Sequence, residues 1–404
     1  MREFAPFRNI SVVYEEGKVM LTFIKAQRHR EKYADFQVYR VTCDDYLFNE
    51  DYEDYQNHIS FEQSVLIDHV RINPEDSTIT YRYEDCTVRE GVTYAYYLKT
   101  EGVALFSGPV LVRPRNNKLW MPYKMIENEM NKLLKSYPDL VSIRNHGYSI
   151  RQKEINSITI GNKENIGLSF VGLIHAGESG PELMLSVIKK LLLEQKELLF
   201  KTGISFLMNA NPDERERNVK GVPWYLRVNA NGVDINRNFE SGWEVVEYGY
   251  GLDTSMVSSP TYRGAKPLSE PETRAVADFI DFCHADVMFS FHCLSSICTD
   301  SFLVSKYAEN NHEYIEKCML FLKPYTKGFG VKDKVSIYYG TSYGSLPHWL
   351  YEKYEMPAFD LELGDVSDEI KDMVIHDRVT EELLDEYSNR HYKGICEVLK
   401  NVYR

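Results

Sequence analysis

His175 and Glu178 stand three residues apart in the stretch His175-Ala176-Gly177-Glu178. An imidazole and a carboxylate so spaced can reach a single metal ion, one through nitrogen and the other through oxygen. The pair follows a short apolar run, LSFVGLI over 168–174. A second such run, DVMFSF over 286–291, ends at His292, which lies 292 − 178 = 114 residues beyond Glu178. Short apolar runs of this kind read as buried strands. Ligands placed at the ends of neighbouring strands complete a His-Glu-His set with an open position, which is the arrangement of catalytic rather than structural zinc.

Between these ligands lie Asn211-Pro212-Asp213 and then the unbroken stretch Arg227-Val228-Asn229-Ala230-Asn231-Gly232-Val233-Asp234-Ile235-Asn236-Arg237-Asn238-Phe239. Two arginines and several amides in one loop make a carboxylate-binding fork, because a guanidinium matches a carboxylate bidentately and an ammonium does not. Asp234 is placed to accept the second ring proton of a ligand histidine and so fix its tautomer. A further apolar run, AFDLEL over 358–363, carries Glu362. A carboxylate near the end of such a strand is costly to bury unless it serves a site. Just upstream, SIYYGTSYGSLPHW over 336–349 offers Tyr338, Tyr339 and Tyr343 on a glycine-punctuated loop.

These residues need a scaffold, and the patterning beyond residue 118 describes one. Met125, Ile126, Met130, Leu133 and Leu134 form an apolar helical stripe after Pro122. Pro181 opens a second helix with Leu183, Met184, Val187, Ile188 and Leu191 on one face, and Ser269-Glu270-Pro271-Glu272 reads as a capping box for a helix running to about Cys283. GISFLMN over 203–209 is another buried strand. Strands alternating with helices predict an α/β domain over 118–404, with a mixed, largely parallel sheet covered on both faces. In such sheets sites form beyond the carboxyl ends of the strands, where these reactive residues fall.

Residues 1–115 read differently. Val19, Leu21 and Phe23 alternate, as do Ile79, Tyr81 and Tyr83, and Tyr94, Tyr96 and Leu98. Period-two patterning without a helical stretch predicts an all-β sandwich, and Tyr94, at the head of its strand, reads as a tyrosine corner. This stretch resembles a fibronectin type III or immunoglobulin-like module. An acidic, tyrosine-rich segment over 44–58 reads as a long loop, and Arg113-Pro114-Arg115-Asn116-Asn117 as a linker.

Composition limits the partners. The chain has 404 residues, enough for two or three domains, with 47 Lys plus Arg against 60 Asp plus Glu for a net charge of −13. That excess opposes nucleic-acid binding and requires a local cationic clamp for any small anionic substrate. No run of about 18 apolar residues is present, so no transmembrane helix is expected. The first residues lack the basic start and apolar middle of a signal peptide, and the seven scattered cysteines fit free thiols, so the expected location is cytoplasmic.

Residues from about 118 to 402 resemble the zinc carboxypeptidase family of carboxypeptidases A and B. The landmarks occur in order: HxxE, NPD, an arginine ahead of GVDxNRNF, the lone histidine after a strand, and FxxEL, with SYPDLVSI and YRGAKPLSEPET as smaller echoes. The resemblance implies one zinc held by His175, Glu178 and His292, with Glu362 as general base and a peptide substrate bearing a free C-terminal carboxylate. It implies that Asn236 and Arg237 hold that carboxylate, that Arg227 faces the scissile carbonyl, and that a loop tyrosine, taken as Tyr339, closes over the substrate. Some positions depart from the family. Gly177 stands where many digestive members carry Arg, and Cys293 follows the third ligand where Ser is usual. Leu346-Pro347-His348, near where the family sets side-chain preference, supplies no acid to select Lys or Arg and no fixed positive charge to favour an acidic terminal residue. The short HAGE form and the RxNxxGVD spacing look more like bacterial members, which raises the alternative of a cell-wall peptide with a D- or γ-linked residue. A non-catalytic zinc-binding homologue, and a main role for the N-terminal sandwich in binding partners or glycans, are further alternatives.

Overall fold

The computed structural model describes every residue except 1–4, 27–34, 44–58, 73–78, 250–251, 293–300, 331–336, 363–378 and 404. The acidic segment 44–58, and Cys293 and Cys298, lie outside the described residues. The chain divides into two compact units, Met1–Asn117 with Arg217–Trp224, and Lys118–Glu216 with Tyr225–Arg404.

The first unit holds strands β1 (Phe7–Glu15), β2 (Lys18–Lys25), β3 (Asp35–Cys43), β4 (Val65–Arg71), β5 (Thr80–Asp85), β6 (Thr93–Lys99) and β7 (Ser107–Val112). They form two antiparallel sheets, β1-β2-β5 and β4-β3-β6-β7. Alternation along β2 sends Val19, Leu21 and Phe23 inward, against Phe36, Val38, Tyr94, Tyr96 and Leu98 of the other sheet. Phe23 and Phe36 meet edge to face at 5.0 Å. The Tyr94 hydroxyl accepts a hydrogen bond from the Arg89 amide at 2.9 Å, the backbone link of a tyrosine corner. The unit also takes in a segment distant in sequence. Tyr14 N donates to Lys220 O at 2.7 Å and Arg113 N to Gly221 O at 2.8 Å. Arg115 donates to the carbonyls of Asn218 and Val222, both at 2.6 Å. Gly221 has φ +99°, and a β-carbon there would stand 2.5 Å from Val112, so only glycine fits.

The second unit is built from strands β8 (Val141–Tyr148), β9 (Glu154–Ile160), β10 (Ile166–Gly172), β11 (Gly203–Leu207), β12 (Tyr248–Gly249), β13 (Leu252–Asp253), β14 (Val287–Phe291), β15 (Ser301–Ser305), β16 (Ile337–Thr341) and β17 (Ala358–Glu362). Its helices are α1 (Tyr123–Ser136), α2 (Pro181–Glu194), α3 (Lys196–Lys201), α4 (Pro212–Val219), α5 (Pro271–Cys283), α6 (His312–Phe329), α7 (Leu346–Tyr354) and α8 (Glu381–Val402), with the end of α4 passing into the first unit. Eight strands form one sheet in the order β16-β15-β17-β14-β10-β11-β9-β8. Its centre, β11-β10-β14-β17, is parallel. The expected mixed, largely parallel α/β sheet is what forms.

Both faces of the central strands are buried, which explains their near-continuous apolar sequences. On one face Phe170 stacks on Phe206 at 4.9 Å and on Phe289 at 5.2 Å, and Phe289 stacks in turn on Tyr325 of α6 at 4.9 Å. On the other, Val171, Leu207 and Met288 pack with Val276, Phe279 and Ile280 of α5 and Trp349 and Leu350 of α7. In α1 the stripe buries Ile126, Met130 and Leu133, while Met125 is exposed.

Two local expectations are corrected. The capping box at Ser269 does not form. Pro271 occupies the first helical position, so Glu270 becomes the cap residue, Ser269 Oγ donates to Glu270 Oε1 at 2.7 Å, and Glu272 Oε1 instead accepts from Ile150 N at 3.0 Å. The stretch after 336 is not a loop either. Ile337–Thr341 pairs in parallel with β15 as the edge strand β16, because its Ile-Tyr-Tyr run has strand character and Gly340 falls inside the strand rather than at a turn.

Phe170 lies at the middle of the aromatic stack. Phe170→Ala is expected to destabilise the protein by about 3–5 kcal/mol, read by denaturant unfolding. A loss below about 1 kcal/mol would contradict this packing.

Candidate active site

The parallel centre of the sheet delivers the reactive side chains to one edge. Gly172 at the end of β10 is level with Phe291 at the end of β14, and Phe291 with Leu361 of β17. His292 follows β14 directly, and its amide donates to Leu361 O at 3.1 Å, which sets it beside Glu362. His175 lies three residues beyond β10, after Leu173 with φ +54°. For a branched side chain this left-handed conformation is strained, and it turns the chain over the sheet edge.

His175, Glu178 and His292 come together with their ligand atoms within 4.8 Å of one another, and all three are buried. His175 Nδ1 is 2.9 Å from Glu178 Oε1, and His292 Nδ1 is 3.3 Å from Glu178 Oε2. Both imidazoles thus turn the same nitrogen inward. Their outer nitrogens each meet a carboxylate: His175 Nε2 lies 3.3 Å from Asp234 Oδ1, and His292 Nε2 lies 3.3 Å from Asp360 Oδ1. Such partners fix the tautomer that leaves Nδ1 as a lone-pair donor. Ser290 Oγ, at 3.2 Å, also touches His292 Nε2.

The donor set suits a divalent cation. Glu178 Oε2 is buried and makes no hydrogen bond. Burial opposes ionisation of Glu178, but the charges of His292 and His175 outweigh it and hold its carboxyl well below the usual range. Burial likewise disfavours the charged form of His292, yet Glu178 and Asp360 push its imidazole well above its ordinary value. The pocket therefore calls for positive charge between these three side chains, and a metal ion supplies it without a proton.

Asp234 joins this cluster to the arginines. It caps the turn Ile235–Arg237, its Oδ1 accepting from Asn236 N at 2.9 Å. Its Oδ2 accepts from Arg227 Nε at 2.9 Å and lies 3.9 Å from Arg237 Nη1. Burial would raise its pKa, but Arg227 and then Arg237 pull it far below the ordinary carboxylate value. Asn236 is held from two sides, Nδ2 donating to Asp360 Oδ2 at 3.2 Å and Oδ1 accepting from Leu346 N at 2.9 Å. In the NPD stretch, Asn211 Nδ2 donates to Val228 O at 3.0 Å and Asp213 Oδ2 accepts from Arg151 N at 2.9 Å, so both brace loops.

The three tyrosines separate. Tyr339, opposite Val304 on β16, has its pKa raised by burial and then by the nearby Glu309 carboxylate. None of its described contacts is with His175, Glu178, His292, Arg227 or Arg237. Tyr338 is half exposed on the same edge strand. Tyr343 packs on Gly242, and the adjacent Gly344 lies so close to Arg237 that a β-carbon would stand 2.3 Å from its carbonyl oxygen. Of the three, Tyr343 is the one set beside the Asn236–Arg237 turn.

Three participants escaped the sequence reading. Asp360 precedes Glu362 by two residues on β17, so period-two alternation already placed both on one face. Ser290, two before His292, carried the same signal. Tyr225 donates to Glu178 Oε1 at 2.7 Å. Its ring also explains Gly177, where a β-carbon would stand 2.5 Å from Tyr225 Cδ2. Only its spacing of two from Arg227 hinted at a role.

The family model described as zinc carboxypeptidase matches residues 126–384. The chain belongs to the zinc carboxypeptidase family. The buried His-Glu-His cluster fits the zinc for which that family is described. Among curated relatives, it is similar to gamma-D-glutamyl-L-diamino acid endopeptidase 1 of Lysinibacillus sphaericus, at 24% identity over 60% of this chain and 65% of that one. Bovine carboxypeptidase O is 30% identical over 29% of this chain and 32% of its own length. The chain spans less than two thirds of the length of these curated relatives. Among solved structures, bovine thrombin-activatable fibrinolysis inhibitor in complex with tick carboxypeptidase inhibitor matches with a TM-score of 0.59 at 21% identity, over 70% of this chain and 98% of that one. A metallo-carboxypeptidase from Burkholderia cenocepacia matches with a TM-score of 0.51 at 12% identity, over 97% and 96%. Both likenesses are of the fold. Among its described residues no helix is long and apolar enough to cross a membrane.

Asp360→Ala is expected to weaken zinc retention about 10–100-fold, measured by competition with a chromogenic chelator. An unchanged zinc affinity would remove Asp360 from the metal site.

Proposed function

We propose that this peptidase hydrolyses the C-terminal peptide bond of substrates that carry a free terminal carboxylate. The observation that carries this reading is the Asp234 hub, which joins the His-Glu-His cluster to Arg227 and the Asn236–Arg237 turn through one buried side chain. Arg237 and Asn236 take the terminal carboxylate, supplying the local cationic clamp that a chain of net charge −13 needs for an anionic ligand. That anchoring sets the last amide bond beside the metal ligands.

His175, Glu178 and His292 would hold zinc, which when bound would supply acidification of water and polarisation of a carbonyl. Glu362, at the end of β17 beside His292, takes a proton from the attacking water and passes it to the leaving amine. Arg227, oriented by Asp234, donates to the carbonyl oxygen as it gains negative charge, a contribution of about 3 kcal/mol for one such donor. Asp234 keeps the histidine tautomer and the arginine aligned throughout.

The likeness to the gamma-D-glutamyl-L-diamino acid endopeptidase favours a second reading on the same residues: a bacterial cell-wall peptide, cut at a γ-linked amide. A non-catalytic zinc protein is disfavoured, because ligands, base and clamp are all present.

Glu362→Gln is expected to lower turnover about 10²–10⁴-fold while zinc content stays stoichiometric. An active, zinc-replete mutant would remove Glu362 as the base. Peptides with free C termini are expected to be cleaved and their C-terminal amides spared; equal cleavage of both would favour an endopeptidase.

A further inference from the structure

Glu178 is the one carboxylate among the three metal-ligand residues, and its two oxygens are not equivalent. Oε1 accepts from the Tyr225 hydroxyl at 2.7 Å and lies 2.9 Å from His175 Nδ1. Oε2 is just as enclosed but makes no hydrogen bond. Tyr225 is itself buried, and its ring meets the His175 ring edge to face with 6.3 Å between centres. An ionised carboxylate carries lone pairs on both oxygens, so without such a partner it can close on an ion through one oxygen or through both.

The backbone holds this tyrosine in place. Gly177 N donates to Leu226 O at 3.0 Å, which ties the 225–227 segment to the turn that carries Glu178. Gly177 is not among the residues with positive φ, so its backbone conformation does not call for glycine. The ring does. A β-carbon at 177 would stand 2.5 Å from Tyr225 Cδ2, 2.9 Å from Cε2 and 3.0 Å from Leu226 N. A glycine next to a metal-ligand residue thus makes room for a phenol whose hydroxyl reaches that ligand.

We infer that Tyr225 is a positioning residue that occupies Glu178 Oε1 and so presents Oε2 as the single carboxylate oxygen for the metal. Together with the two imidazoles this gives three protein donors, and the fourth position stays open to water. A second carboxylate oxygen on the ion would crowd that position. The inference rests on the metal cluster alone and holds whichever amide the protein cuts.

The test compares crystal structures of the zinc-loaded protein and of zinc-loaded Tyr225→Phe, which keeps the ring and removes only the hydroxyl. In the unaltered protein one Glu178 oxygen is expected at about 2.0–2.2 Å from zinc, with the other on Tyr225. In the variant the carboxylate is expected to turn and bring both oxygens to the metal. The same change should lower kcat about tenfold or more while KM stays within about twofold, because the substrate-holding side chains are untouched. Gly177→Ala, which displaces the ring, should turn Glu178 in the same way and gives a second reading if Tyr225→Phe does not fold. In a Tyr225→Ala background, where the space is vacant, Gly177→Ala should add no further loss of zinc affinity, measured by chelator competition. A single bonded oxygen in both the unaltered protein and Tyr225→Phe overturns the role of Tyr225 and leaves the metal site standing. Two bonded oxygens in the unaltered protein do the same. A cluster that takes up no zinc overturns the metal site and this inference together.

Discussion

Asp234 is fully buried and ionised, and the geometry of the site follows from keeping it so. A carboxylate withdrawn from water must be matched by donors and positive charge. Here His175, Arg227, the Asn236 amide and the nearby Arg237 provide them. One residue thereby sets a ring tautomer at the metal cluster and the direction of a guanidinium. Asp360 plays the same part for His292 and also holds Asn236. Two acids thus tie the ligands to the side chains expected to hold substrate, so a disturbance at either end is felt at the other.

The sheet makes this economical. Its four central strands run parallel, so their carboxyl ends coincide, and residues 175, 292 and 362 meet although nearly 190 positions separate the first from the last. Aromatic stacking on one face and the α5–α7 core on the other hold these strand ends in register, which a three-ligand site requires. Strain at Leu173 is the local cost of turning the chain over that edge.

Much of this could be read from the sequence, for identifiable reasons. Strands buried on both faces leave short apolar runs, so β10, β11, β14 and β17 were found, and ligands next to those runs followed. Alternation in β2 and the placement of Tyr94 likewise reported a sandwich with a tyrosine corner. What escaped depends on contacts between distant residues. Beyond a spacing of two from Arg227, nothing local marks Tyr225 as the partner of Glu178. Nor does anything near residue 221 announce that 217–224 joins the N-terminal sheets, through carbonyls that Tyr14, Arg113 and Arg115 meet. The expected capping box failed because a proline moved the helix start by one residue, and the tyrosine loop failed because its glycine sits within a strand.

Two imidazoles and a carboxylate at the edge of the sheet are placed to hold zinc. Zinc K-edge X-ray absorption on the purified protein tests it most directly. One zinc per chain is expected, with two imidazole nitrogens and oxygen donors at about 2.0–2.2 Å and no sulfur. A sulfur shell at about 2.3 Å would assign the metal to cysteine thiolates and contradict the site described here.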